Sequence, residues 1–327
     1  MQKSRFLAIL TFVEIAFWTN DSQIIARQGV YFLRLAIEGR GEMAITSEEV
    51  AAVKPDCRAG LALLTQAQTV AVNKSKTGAG RVFALAIMAG MLIATGATFM
   101  LLIKSDSSLT FGPSQLLGGL CFALGLLCVI VAGAELFTGN CLMVAAALDK
   151  KVTWGDVIKN WVIVYVGNLV GSLIIVGILL GANFAGMNGD EVGNTMINVA
   201  FGKINLGPDV IFFRGIMCNW LVCLAVWMGF AGRTVIDKVF TSIFPVMAFV
   251  ACGFEHCVAN MFFLPMGIAA LNTYGYSGSG DIAAITEALT AGGACYNIGL
   301  ATLGNIVGGA VMVGIIYWIS YHKKQQA

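Results

Sequence analysis

Only 12% of this 327-residue sequence is charged, and that shortage removes the largest class of answers first. A chain that is 58% hydrophobic cannot clothe a soluble surface with so few charges, so it belongs in a membrane. The formal net charge of +2 is too small to suggest a nucleic-acid partner, and no basic patch with interleaved aromatics occurs. The nine cysteines lack C-x-x-C spacing; they make neither a disulfide framework nor a metal site and read as small packing residues in apolar runs. Nucleophile elbows, metal-ligand clusters and nucleotide loops are missing too, so no cofactor is implied and an enzyme is not expected.

What the sequence does have is six apolar segments, at 82–103, 115–148, 157–182, 211–231, 239–270 and 294–321. Each can cross a bilayer of about 30 Å at about 1.5 Å per residue. They are rich in glycine, which lets helix backbones approach closely in lipid. The fifth is interrupted by Gly253-Phe254-Glu255-His256-Cys257-Val258-Ala259-Asn260. Ionisable groups at membrane depth cost on the order of 2.5–3.5 kcal/mol each, so they normally face a partner or a watery cavity and mark a pathway. The second segment carries an echo, Gly133-Ala134-Glu135-Leu136-Phe137-Thr138-Gly139-Asn140, with the same G-x-E-x-x-x-x-N pattern. A second matched pair, Gly167-Asn168-Leu169-Val170-Gly171 and Gly304-Asn305-Ile306-Val307-Gly308, lies one segment after each interruption. The chain therefore reads as an all-α membrane protein of two inverted three-helix repeats with helices 2 and 5 interrupted, a pattern that points to a transporter's central site.

Orientation follows from the connections. Lys74, Lys76 and Arg81, then Lys150 and Lys151, Arg233 and Lys238, and Lys323 and Lys324 fall on one side, and the opposite loops are poorer in positive charge. That side is assigned to the cytoplasm, with both termini there and the protein multi-pass in the inner (plasma) membrane. Residues 1–80 read as an N-terminal cytoplasmic segment, 81–321 as the channel domain and 322–327 as a cytoplasmic tail. Phe6 to Trp18 imitates a signal peptide, but it contains Glu14, lacks a small-residue cleavage pattern and is too short to span. From Met43 the text changes to Ala-Ile-Thr-Ser-Glu-Glu-Val, where Thr46 or Ser47 could cap a helix. Met43 is thus a candidate start that would leave 1–42 non-native; a mature chain from the natural gene beginning at Met1 would sink this expectation.

A helix broken at membrane depth must bury its freed backbone groups in protein or water, and the half-helix that follows points N–H groups and a positive dipole end at the cavity. Two such ends attract an anion. Glu135 and Glu255 would repel one, so we expect them to be loop-structuring, accepting loop N–H bonds with Asn140 and Asn260 as local partners. His256 is one of two histidines, and His322 is terminal and expected to be solvated. A lone histidine among apolar residues is ordinarily a satisfied core residue, but beside a second break His256 is a candidate to donate to an anion or exchange a proton near physiological pH. Thr138 offers an uncharged hydroxyl, and Asn219, near the start of the fourth span, offers an amide or helix–helix glue. Phe122 and Leu126, at i and i+4, with Phe249, are candidates for an outer constriction and Leu136 for an inner one, although periodicity alone favours ordinary packing for each.

The two interruptions, the run Cys218-Asn219-Trp220-Leu221-Val222-Cys223-Leu224-Ala225-Val226-Trp227 and Gly304-Asn305-Ile306-Val307-Gly308-Gly309 stand in an order that resembles the formate/nitrite transporter family over about 80–321. The resemblance implies an aquaporin-like six-helix protomer in a homopentamer, with one pore per protomer passing small monovalent anions such as formate, nitrite or hydrosulfide. By motif it makes His256 the central histidine, Thr138 the loop threonine facing it, Asn219 the polar residue nearby, Leu136 the inner constriction, and Phe122, Leu126 and Phe249 the outer one. Lys203 looks like the family's vestibule lysine. Formate is the expected substrate, crossing as the neutral acid with a proton from bulk water or through His256. Gly139 and Asn140 depart from the Ser or Thr that formate channels tend to carry after the loop threonine, which keeps nitrite and hydrosulfide open. Two rivals stand beside this reading: a water or glycerol channel, opposed by the missing Asn-Pro-Ala motifs, and a membrane enzyme using Glu255 and His256 as acid and base.

Overall fold

The computed structural model describes residues 57–322; the candidate start at Met43, the signal-like run, the cap at Thr46 or Ser47 and the tail from 323 lie outside the described residues. The first half comprises α1 (Leu61–Lys76), α2 (Ala79–Lys104), α3 (Phe111–Ala132), α4 (Phe137–Leu148) and α5 (Trp154–Gly181). The second comprises α6 (Glu191–Ile204), α7 (Pro208–Ala231), α8 (Val235–Ala251), α9 (Cys257–Tyr274), the short α10 (Ile282–Ala288) and α11 (Ala291–Tyr321). Helices α2, α3, α5, α7, α9 and α11 are long and apolar enough to cross a membrane, and α4 and α8 complete the two interrupted crossings.

Local sequence explains where these elements begin and stop. Thr153 with Asp156 and Thr234 with Asp237 form reciprocal capping boxes at the starts of α5 and α8, and Pro208 opens α7 with a residue that has no N–H to lose. Helix α3 ends on Gly133 at φ 76°, and Gly253 at φ 69° closes the turn after α8. Both are left-handed conformations that a side chain would strain. The matched glycines fix the packing within each repeat. A Cβ on Gly171 of α5 would lie 2.0 Å from the Ile87 carbonyl oxygen of α2, and one on Gly308 of α11 would lie 2.1 Å from the Ile216 oxygen of α7.

Two regions that hydropathy does not mark as spans, one in the N-terminal segment and one in a connection, are helices. In α6, within 183–210, Val192, Met196, Ile197 and Ala200 are buried and the element packs on α9; the stripe is one-sided, so it cannot read as a span. Helix α1 likewise packs on α4 and α7, so each half opens with a short helix ahead of its first crossing. The halves differ in their last crossing: α5 is a plain α-helix, whereas Val307–Ile315 of α11 is wound wider with i→i+5 bonding.

Candidate anion pathway

The two breaks are built on one plan. In the first, Asn168 of α5 accepts the Phe137 N–H at 3.0 Å and donates to the carbonyls of Ala86 at 2.8 Å and Glu135 at 2.9 Å. In the second, Asn305 of α11 accepts the Cys257 N–H at 2.9 Å and donates to Gly215 at 2.7 Å and Glu255 at 2.9 Å. Each asparagine thus supplies the hydrogen bonds that an interrupted helix loses at membrane depth.

The carboxylates lie behind these loops. Glu135 receives Asn140 Nδ2 at 2.7 Å and Lys74 Nζ at 2.7 Å, and Asn140 also reaches Asn160 Oδ1 at 2.8 Å. Glu255 receives Asn260 Nδ2 at 2.6 Å and Lys203 Nζ at 2.7 Å, and Asn260 reaches Asn297 Oδ1 at 2.7 Å. Asn140 and Asn260 are the expected local partners. The loop N–H groups, however, do not go to the carboxylates: those of Glu135 and Glu255 donate to the Leu85 and Arg214 carbonyls, and those of Phe137 and Cys257, turned by the extended Leu136 and His256, reach Asn168 and Asn305 of the third crossings. A carboxylate with a lysine and an asparagine on it is neutralised and satisfied, which is what burial demands.

The tips of the loops meet. His256 Nδ1 accepts the Ala259 N–H at 3.1 Å, capping α9, so the neutral ring carries its proton on Nε2. That Nε2 lies 3.1 Å from Thr138 Oγ1, the two side chains being buried. Phe249 stacks on the imidazole at 5.8 Å between centroids and meets Phe122 edge-on at 5.7 Å. Asn219 lies in the middle of α7, not near its start. Its amide donates to the carbonyls of Thr138 at 3.2 Å and Asn305 at 2.6 Å, and Cys223 Sγ adds a contact to the Thr138 oxygen at 3.2 Å.

One cavity borders His256 itself, and a second borders Leu136 and Gly139, on the loop that carries Thr138. One, of about 90 Å³, is lined by Phe122, Phe249, His256, Lys203 and Lys104. The other, of about 690 Å³, is lined by Leu126, Leu136 and Glu135 and carries Arg58, Lys74, Arg233 and Lys238. Leu126 therefore faces the wide cavity with Leu136, not the narrow one with Phe122; one helical turn, about 5.4 Å, carries it past the partition. Lys203, in the last turn of α6, does line the narrow cavity. His322 is not simply solvated, since its Nδ1 lies 2.9 Å from Asp149 Oδ1.

Residues 62–319 match the model of the formate/nitrite transporter family. The chain belongs to that family. It is 37% identical over 269 residues to the formate channel FocA of Escherichia coli (strain K12), covering 80% of this chain and 94% of that one. It is 38% identical over 261 residues to the uncharacterized transporter YrhG of Bacillus subtilis (strain 168), covering 78% and 91%. Its fold is similar to a solved pentameric formate channel with formate bound, with TM-score 0.66, 38% identity and coverage of 75% of this chain and 98% of that one. The family and these relatives are channels and transporters, so the acid–base enzyme reading of Glu255 and His256 is set aside.

Within this family member, sequence reading misses Lys74 as an ion-pair partner, overlooks Asn160 and Asn297, and gives Asn168 and Asn305 no role. A signal is present: Asn160 precedes Asn168 by the interval that separates Asn297 from Asn305.

Proposed function

We propose that this protein is a channel for small monovalent weak-acid anions, formate foremost, working as a homopentamer with one pore in each protomer. The observation that carries the reading is the contact of Thr138 Oγ1 with His256 Nε2 at 3.1 Å, with a cation-bearing cavity at His256 and another along the loop that carries Thr138. The pentameric formate channel of similar fold supports both the assembly and the substrate class. Outward-facing Ile158, Val162, Val166 and Ile178 on α5 suit lipid or a sister protomer. Lys74, Arg233 and Lys238 belong to the positively charged side of the sequence, so the wide cavity opens to the cytoplasm and the termini lie there, in the inner (plasma) membrane. Residues 81–321 form the pore domain, with α1 docked on it from the cytoplasmic segment.

An anion entering the narrow mouth beside Lys203 loses water at Phe122 and Phe249, and the Nε2–H of His256 turns from Thr138 to the anion. Carrying a bare charge further is costly. The carboxylate takes one proton, from bulk water or relayed through His256, passes Leu126 and Leu136 as the neutral acid, and releases that proton on the far side. One proton thereby moves with each anion. Asn219 acts through Thr138 by holding its carbonyl, while Glu135, Asn140, Glu255 and Asn260 keep the loops in shape. The test is uptake of formate, nitrite, hydrosulfide and lactate by proteoliposomes at about pH 5.5 and about pH 7.5, spanning the ordinary histidine range. Formate entering fastest, and faster at low pH, is expected; water or glycerol moving while no anion does would overturn the reading.

A further inference from the structure

The narrow mouth holds two lysines, and only one of them has its charge answered. Lys203 Nζ lies 2.7 Å from Glu255 Oε1, and the same arrangement of lysine, glutamate and asparagine recurs at Lys74, Glu135 and Asn140 in the other half. A pair that recurs at both breaks is part of the loop scaffold, and its net charge is zero. Lys104, the last residue of α2, lines the same cavity. Its ammonium rests on the uncharged side-chain oxygen of Gln115, whose amide nitrogen donates to the Ala251 carbonyl at 3.0 Å, at the end of α8. Among the described residues no carboxylate lies within ion-pair reach of Lys104. Its stem crosses α3 at Gly118, where a Cβ would meet Lys104 Cε at 3.3 Å, so the absent side chain gives it a channel towards the cavity.

The other half repeats the placement. Asn168 holds the Ala86 carbonyl and Asn305 holds the Gly215 carbonyl, and Lys104 stands as far beyond Ala86 as Arg233 stands beyond Gly215. Arg233 lines the wide cavity, and it too has no carboxylate in ion-pair reach among the described residues. Each repeat thus sets a cation without a carboxylate partner at or just past the end of its first crossing, Lys104 on α2 and Arg233 after α7, each lining a cavity.

We propose that Lys104 is the anion-capture residue of the narrow mouth, the charge that draws a small carboxylate in ahead of His256, with Arg233 as its counterpart at the wide mouth. This rests on the anion-channel reading above and deepens it by separating capture, at Lys104, from scaffolding, at Lys203. Gln115 is the rest from which the ammonium swings to the anion. A charge in a low-dielectric cleft raises the local anion concentration and acts on entry, with an effect that salt screens.

The experiment is the concentration dependence of formate uptake by proteoliposomes holding the full chain, at low and high ionic strength, for wild type, Lys104→Met and Lys104→Arg. In Lys104→Met the half-saturating formate concentration rises about threefold or more with little change in maximal rate, and the salt dependence flattens; Lys104→Arg keeps both near wild type. Wild-type transport with an unchanged Lys104→Met profile overturns the capture role alone, as does a fall in maximal rate that Lys104→Arg does not rescue. A wild type that moves no formate overturns the channel reading, and this proposal with it.

Discussion

Set side by side, the two breaks share a frame and differ at the tip. Asn168 and Asn305 make the same three bonds, Glu135 and Glu255 each hold a lysine and an asparagine, and both loops begin on a left-handed glycine. Between the glutamate and the asparagine of each loop the likeness breaks: Leu136 stands where the second break has His256, and Thr138 where it has Val258. One polar side chain from each loop remains, and those two touch. A further difference lies behind them. Asn219 stands as far from Gly215 as Gly90 does from Ala86, so the second half has an amide where the first has no side chain. A Cβ on Gly309 would lie 2.3 Å from that amide and 2.8 Å from Cys223 Sγ. The glycine-bearing, wider coil of α11 therefore makes room for the groups that hold the Thr138 carbonyl. The frame is symmetric because both breaks face one backbone problem, and the tips diverge because one solute path needs only one polar centre.

The largest effect expected from unsettling this comparison is at the carboxylates. Glu255→Ala strands Lys203 and Asn260 and should cost about 3–5 kcal/mol, the range for breaking a buried pair. Glu135→Ala should cost less, because the Glu135 side chain is 10% exposed against 2% for Glu255 and borders the wide cavity. Thermal unfolding of the detergent-solubilised protein reads both, and a larger loss at Glu135 would show that burial does not rank the two. Next come Gly171→Ala and Gly308→Ala, each expected to destabilise by about 1–3 kcal/mol through overpacking. Equal losses of folded protein support equivalent contacts in the two repeats. Tolerance at Gly308 alone would mean that the wider coil gives way. The smallest effect is at the tip: Thr138→Val installs the residue of the matching position and removes one hydrogen bond worth about 1 kcal/mol, the one His256 gives up to reach the anion, changing the uptake rate about fivefold. Uptake at the wild-type rate would remove Thr138 from the pathway.

Much of this frame is legible in the amino-acid sequence. Glycine-bounded glutamates inside apolar runs mark the breaks, and the repeated Gly-Asn-x-Val-Gly marks the partner crossings, because each signal is short and local. The ion pairs are not legible, since Lys74 and Glu135 are 61 residues apart and Lys203 and Glu255 52, beyond any periodicity. Helices α1 and α6 escape for a different reason: a one-sided apolar stripe among polar residues reads as a connection when hydropathy alone is scanned. Helical spacing sets Leu126 with Phe122, because it gives the face of a helix but not the depth at which a partition crosses it.

The claim that the second break differs from the first only where the chemistry lies is tested most directly by His256→Leu, which gives it the tip residue of the first. All the bonds of Asn305, Glu255 and Asn260 stay in place, and the lost cap on α9 costs about 1 kcal/mol. The measurement is the pH profile of formate uptake by the purified variant beside wild type. The expected result is a folded, assembled protein whose uptake has lost its rise at low pH and its preference for formate. A variant that keeps the wild-type profile and selectivity would contradict the claim.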